Sequence, residues 1–315
     1  MSFVVYGDFS DDPGPGGRDD EHERMTIWLL RAAWATLPLT AGAAASDALH
    51  GWSTPTTAVA AGLLWATWAV LLVAVLAPHP LGLTALRTGT PVLLGLAVAV
   101  AVSGRASTVD ATIAVLAAGV AFVLAASPPV GRACANGAAY GSERRFPLKV
   151  PPALFLGPLP VAIALVGAAV ATGPLLLADG RIVAGVIGSV IGIPIAALVP
   201  RSLHALSRRW AVLVPAGLVV VDGMTLADTL LFPREHVREL TPADIRSRPE
   251  AAVLDLRLGA SLGSVRLTVD PPAEIVLAHR GRRAGERVTT TRLLFATSSA
   301  RQLLREAAER RLPVA

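Results

Sequence analysis

Four arginines fall within eight residues near the end of the chain. They are Arg280, Arg282, Arg283 and Arg287, in the stretch HRGRRAGERVTTTR, with Arg292 just beyond. A guanidinium stays charged near neutrality and grips phosphate or carboxylate through paired N–H donors. Beside a membrane, such a cluster attracts anionic headgroups. Gly281 and Gly285 favour a turn, ahead of a last strand expected near Thr290–Thr297. These four arginines are the candidate lipid- or partner-binding set. The plainer alternative is the basic bias of any domain held on the cytoplasmic side of a membrane. Nucleic-acid binding fits poorly, because no aromatic residues interleave with the arginines.

Other chemistry-bearing residues are sparse. The six histidines (His22, His50, His79, His204, His236, His279) show no metal-ligand spacing, so neither a metal nor a cofactor is expected. Asp47 and His50 form one near-pair, read as interfacial. Cys134 is the lone cysteine, which excludes an intramolecular disulfide and a cysteine-based metal cluster. No phosphate-binding glycine loop, serine elbow or pair of catalytic carboxylates appears. One polar group, Asn136, Tyr140, Ser142, Glu143, Arg144 and Arg145, could face a lipid headgroup and is the only hint of a membrane enzyme.

The elements that carry these residues follow from composition. Of 315 residues, 53% are hydrophobic and 16% charged, and the charge gathers before residue 25 and after residue 200. Soluble chains carry about 25% charged residues. The pattern implies a polytopic membrane protein with polar ends. A spanning helix needs about 20 mostly apolar residues. Six segments qualify, near Met25–Ser46, Thr57–Ala77, Thr88–Gly104, Val109–Ser127, Ala153–Leu177 and Ile182–Val199. Arg87 sits at the edge of the third, which is short; Thr84–Leu86 are read as extending it, with Arg87 snorkelling. The first 24 residues are acidic and Gly/Pro-rich. They read as a disordered tail and lack the basic-then-apolar form of a signal peptide.

Orientation follows from the basic residues. Arg132, Arg144, Arg145 and Lys149 occupy the loop after the fourth span, and Arg201, Arg208 and Arg209 follow the sixth. Six spans then place both termini in the cytoplasm, in the cell inner (plasma) membrane. Ionisable groups within the spans, the usual marks of a transport pathway, are nearly absent. Arg31, Asp47, His50 and Asp110 all lie near span ends. In GVIGSVIG, Gly185, Gly188 and Gly192 have small-residue spacing that favours close helix packing within the bundle.

The twelve residues WAVLVPAGLVVV, from Trp210 to Val221, carry no charge but are too short to span. Their central PAG predicts a hairpin. The stretch VLDLRL alternates, with Leu254, Leu256 and Leu258 on one face; SVRLTVD repeats this with Val265, Leu267 and Val269. Period-two alternation predicts a half-buried antiparallel sheet. SSARQLLREAAERRL ends the chain as an amphipathic helix, 299–311, with Leu303, Leu304, Ala307 and Ala308 as its stripe and Ser299 with Gln302 as a capping box.

This order of strands and one terminal helix resembles bacterial pleckstrin-homology-like domains, and LLFPREHVREL resembles the short strand those domains place after an aliphatic-Pro step. The whole layout resembles uncharacterised polytopic membrane proteins of high-GC bacteria. The resemblance implies topology and no activity. The expected organisation is a tail over 1–24, an all-α bundle of six transmembrane helices over 25–200, a linker over 201–208 and a cytoplasmic PH-like β domain over 209–315. The favoured function is a non-enzymatic scaffold that binds lipid or a partner through its β domain. Its expected partners are membrane lipids, anionic headgroups, another protein or a second copy. The alternative is a transporter, or transporter subunit, for a neutral or lipidic substrate.

Overall fold

The computed structural model describes residues 15–243, 253–278 and 286–315, with side chains from Glu21 onward. Nine α-helices and eight strands fall within them. Helices α1 (Pro15–Leu49), α2 (Thr54–Leu76), α3 (Pro80–Ser103) and α4 (Thr108–Ala126) run in sequence. The short α5 (Pro128–Asn136), strand β1 (Arg144–Pro147) and short α6 (Pro152–Phe155) lead to α7 (Pro158–Ala178) and α8 (Ile182–Ser207). Five of these, α2, α3, α4, α7 and α8, are long and apolar enough to cross a membrane, at 19–26 residues each. The chain is therefore membrane-embedded and multi-pass.

Three boundaries differ from the sequence reading. Helix α1 starts at Pro15, inside the segment read as a tail. Helix α3 starts at Pro80, ahead of the extension expected from Thr84, capped by His79 and carrying proline in its first turn, so Arg87 lies well inside the helix. Helix α8 runs on through residues 201–207, which therefore do not form a loose linker. The glycines of α8 serve internal packing as expected. A Cβ on Gly192 would stand 2.5 Å from the Ala169 carbonyl oxygen, and one on Gly185 would stand 2.6 Å from Leu177 Cγ. Their missing side chains let α7 and α8 touch backbone to backbone.

The remaining strands are β2 (Trp210–Val214), β3 (Gly217–Val221), β4 (Leu230–Pro233), β5 (Val237–Pro242), β6 (Val253–Asp255), β7 (Ser264–Leu277) and β8 (Glu286–Ala296), followed by α9 (Ala300–Glu309). They form two four-stranded sheets, in the orders β1-β2-β3-β4 and β5-β7-β8-β6. All pairs are antiparallel except β6 with β8, which is parallel, so the second sheet is mixed. The hairpin in WAVLVPAGLVVV forms as expected, with Val214 opposite Gly217. Gly217 has φ 150°, and a side chain there would strike the Phe232 carbonyl of β4.

The lack of charge in that hairpin has a physical cause. One face of β2 and β3 holds Ala211, Leu213, Leu218 and Val220, all buried in the β-domain core. The other face holds Trp210 and Val212, which pack with Ala135 of α5. Burial on both faces produces a continuous apolar run, which a hydropathy reading can mistake for a span.

Strand β1 comes from the segment between α4 and α7, not from the C-terminal region. Arg145 pairs with Val212 and Phe146 with Ala211. Phe146 and Leu148 then enter the same core as Leu303, Leu304 and Ala307 of α9. The β domain is thus completed by a membrane-bundle loop. Val265, Leu267 and Val269 are buried as their alternation predicts, whereas the strand in VLDLRL ends at Asp255, with the Leu256 N–H making a last bond to the Leu294 carbonyl at 2.8 Å. There Leu258 takes a positive φ of 53°, and Arg257 folds back onto Asp255 at 2.8 Å.

Candidate functional site

Of the four arginines singled out by sequence, the structure describes one. Arg280, Arg282 and Arg283 lie outside the described residues. Arg287 is exposed and belongs to β8, paired with Val276, because that strand begins at Glu286 and not near Thr290. It sits on a strand, not in the expected turn.

The polar group after α4 also resolves into structure. Asn136 accepts from the Arg145 N–H at 2.8 Å and donates to the carbonyls of Arg132 and Arg145, clamping α5 to β1. Glu143 takes Arg145 at 2.9 Å, and that hydrogen bond holds its carboxyl below the usual range. Arg310 donates to the Ser142 carbonyl at 2.6 Å, while Tyr140 is exposed. These groups fix a loop and converge on no common point. Two of the span-end charges, Arg31 and Asp110, are also occupied. Arg31 donates to the carbonyls of Val75 and Leu76 at the end of α2, satisfying carbonyls that lack an intrahelical partner. Asp110 receives the Ser107 hydroxyl at 2.5 Å at the start of α4, a favourable place for an anion.

What converges instead is a cavity of about 750 Å³ beneath the β domain. Such volumes are typical of small-molecule sites. Thr84, Arg87, Thr88, Pro91 and Gly95 supply one wall. Their spacing of three and four residues puts them on one face of α3. Phe122 and Ala126 of α4, Ile163 and Gly167 of α7, and Leu203, Leu206 and Ser207 of α8 supply others. Pro147, Leu148, Lys149 and Val150 cross the end as a roof, joined by Ser298.

The roof is held firmly. The Lys149 N–H donates to the Ala296 carbonyl at 2.9 Å, and its own carbonyl accepts from Arg209 at 2.9 Å. Thr297 donates to the Pro147 carbonyl at 2.9 Å. Arg209 in turn is locked by Asp222 through bonds of 2.6 and 2.8 Å, with both side chains buried. The backbone of Lys149 is therefore fixed at both its N–H and its carbonyl. Its ammonium has no hydrogen-bond or ion-pair partner among the described residues.

Arg87 is the second cation on the cavity. It also lacks a hydrogen-bond or ion-pair partner among the described residues. Its Nη2 lies 3.3 Å from where a Cβ on Gly131 would stand, so glycine there leaves room for the guanidinium. Cys134 lies near it, but burial pushes that thiol up to about 11, against the pull of the His79 backbone and of Arg87. The thiol is thus neutral at neutral pH and does not balance the arginine. Among the described residues, no carboxylate lines the cavity. Two uncompensated cations and the Ser207 and Ser298 hydroxyls therefore mark it as polar near the roof, and Val92, Leu96, Phe122 and Ile163 mark it as apolar deeper in the bundle. Among the described residues, no cluster of His, Cys, Asp and Glu could hold a metal.

A second cavity, about 630 Å³, shares Thr84 and Thr88 with the first and carries Arg201 and His204. Thr84 Oγ1 and His204 Nδ1 lie 2.8 Å apart, tying α3 to α8 between the two. Sequence reading missed this site because Arg87 and Lys149 are 62 positions apart. The one local signal was a lone arginine among threonines on a single helix face. Protein-family models, curated proteins and solved structures were each compared with this chain, and none matches it.

Proposed function

We propose that this chain is a lipid-binding integral membrane protein that holds an amphiphile beneath its β domain, with no catalytic step. In this reading α1 is a sixth span, both termini are cytoplasmic, and the β domain faces the inner leaflet. The observation that carries it is the polarity of the cavity, cationic at the roof and apolar within the bundle. A water-soluble ligand would have little use for the apolar end, and a plain hydrocarbon would leave the cations desolvated without compensation. Two packed sheets with α9 in their core support a PH-like scaffold for this roof. Anionic lipid contact by Arg280, Arg282, Arg283 and Arg287 is a separate surface role in the same reading.

The test is lipid extraction from the purified full chain, followed by mass spectrometry. Wild type should retain one amphiphile class in fixed proportion. Ala164→Trp, which puts an indole into the cavity, should lose it. Equal retention by the variant would remove the cavity from the reading.

A second reading, transport of a lipidic substrate, draws on another cavity of about 590 Å³ at the opposite end of the bundle, between α1 and α2. It is lined by Leu49, His50, Trp65 and Trp68 among others. Transfer of labelled lipid between leaflets of proteoliposomes, above the rate in protein-free vesicles, would favour it.

A further inference from the structure

We infer that the amphiphile is an anionic phospholipid lacking an amine, whose phosphate lies between Arg87 and Lys149 at the roof of the cavity. This rests on the reading of that cavity as an amphiphile site. The polar lining offers donors in excess. Arg87 and Lys149 bring charged N–H groups, and the Ser207 and Ser298 hydroxyls have no side-chain partner among the described residues. The hydroxyls of Thr84 and Thr88 can instead donate to the carbonyls of Pro80 and Thr84. Phosphate oxygens accept from such donors and carry the charge that they lack. An ethanolamine or choline headgroup would bring a cation to a site with no carboxylate among its described lining residues. Cys134, held as a neutral thiol by burial, leaves that preference intact.

The site is also reachable from the bilayer. Phe155 of α6 lines the cavity and is 57% exposed, so the cavity wall reaches the outer surface of the bundle at α6. A lipid can seat its headgroup under the roof and let its chains pass out at that surface. A free phosphate would leave the apolar walls unfilled.

The experiment uses the full chain in neutral detergent. It is incubated with equimolar phosphatidylglycerol, phosphatidic acid and phosphatidylcholine of identical chains. Lipid is extracted after gel filtration and quantified by mass spectrometry. Wild type should favour the anionic lipids by about tenfold or more, since a choline cation brought close to two like charges out of bulk water is repelled by more than the roughly 1.4 kcal/mol that makes a factor of ten. Lys149→Gln should cut the preference, and Arg87→Gln with Lys149→Gln should erase it while lipid is still retained. Lys149 alone suffices as a probe if the double variant fails to fold, because its ammonium makes no hydrogen bond or ion pair among the described residues. Equal retention of phosphatidylcholine by wild type would overturn the headgroup assignment while leaving an amphiphile site. Retention of no lipid would overturn both. Displacement of bound lipid by glycerol phosphate at equal concentration would overturn the lipid and assign a soluble phosphate.

Discussion

Trp34 and Trp68 exchange hydrogen bonds between two helices. The indole N–H of Trp34 in α1 donates to the Trp68 carbonyl, and that of Trp68 in α2 donates to the Trp34 carbonyl, each at 3.0 Å. Trp34 is buried at 1% exposure among Leu30, Leu71 and Val75. Trp65 meets Trp68 edge-on with centroids 5.4 Å apart. Helix α1 is the least uniformly apolar of the long helices, yet this exchange locks it to one that can span. Replacing either tryptophan with Phe should cost about 1 kcal/mol, the net worth of a typical intramolecular hydrogen bond. The double variant should show coupling of roughly 0.5 kcal/mol or more in a denaturant cycle. Additive losses would mean that the two bonds do not act together.

Reporter fusions should follow six spans. Fusions after Tyr140 and Ala315 should report the cytoplasm, and those after His50, Ala106 and Asp179 the opposite side. Periplasmic activity at Tyr140 or Ala315 would reverse the orientation or remove α1 as a span.

The β domain should depend on its borrowed strand. Residues 205–315 expressed alone lack β1, and with it Phe146 and Leu148, two core side chains. Removing large core residues costs about 2–5 kcal/mol each. The isolated segment should therefore exchange its β2 amides rapidly. A tethered copy of residues 142–150 should restore protection, and identical exchange with and without it would make β1 dispensable.

Asp222→Ala should destabilise the roof. The bidentate Arg209–Asp222 pair is buried, with side-chain exposures of 2% and 0%. Removing one partner of such a pair costs about 3–5 kcal/mol, because the other charge is left uncompensated. The loss should appear in thermal unfolding of the full chain. It should also weaken lipid retention, since Arg209 holds the Lys149 carbonyl.

Cys134 should resist alkylation. Its thiol is buried and raised to about 11, so at pH 7.5 roughly one in a few thousand is thiolate. The native chain should take up maleimide only after unfolding. The sign of the linkage follows, since the folded thiol holds its proton longer than the unfolded one. Stability is then fully present below the ordinary thiol range and is lost as pH rises from there through about 11. A melting midpoint that climbs over that interval would contradict it.

Sequence alone determined five helices long and apolar enough to span, the hairpin at Pro215 and the terminal helix. Each is a local matter. Long apolar runs must satisfy their backbone within the segment, which in a membrane means helix. Val265, Leu267 and Val269 announced their strand by alternation, and Leu303, Leu304 and Ala307 announced their helix by spacing. Ala308 was read into the same stripe but is exposed. The expected capping box also fails. The Ser299 side chain makes no capping bond and instead accepts from Arg132 at 2.6 Å, while Gln302 turns to Glu306 at 3.1 Å. Arg132 also pairs with Glu23 at 3.0 Å, so one side chain joins α1, α5 and α9.

Tertiary structure decided the rest. RRFP is four residues with no alternating pattern, and it is a strand because β2 presents an open edge to it. The parallel pairing of β6 with β8 likewise depends on which edge remains free. The cavity belongs to this class. Arg87 looked like a snorkelling edge residue and Lys149 like one more basic loop residue. Only the pairing of β1 with β2, and the hydrogen bonds from Arg209 and Thr297, carry the lysine over the helix face that holds the arginine. Contacts between distant segments depend on register and packing, and a local window in the sequence contains neither.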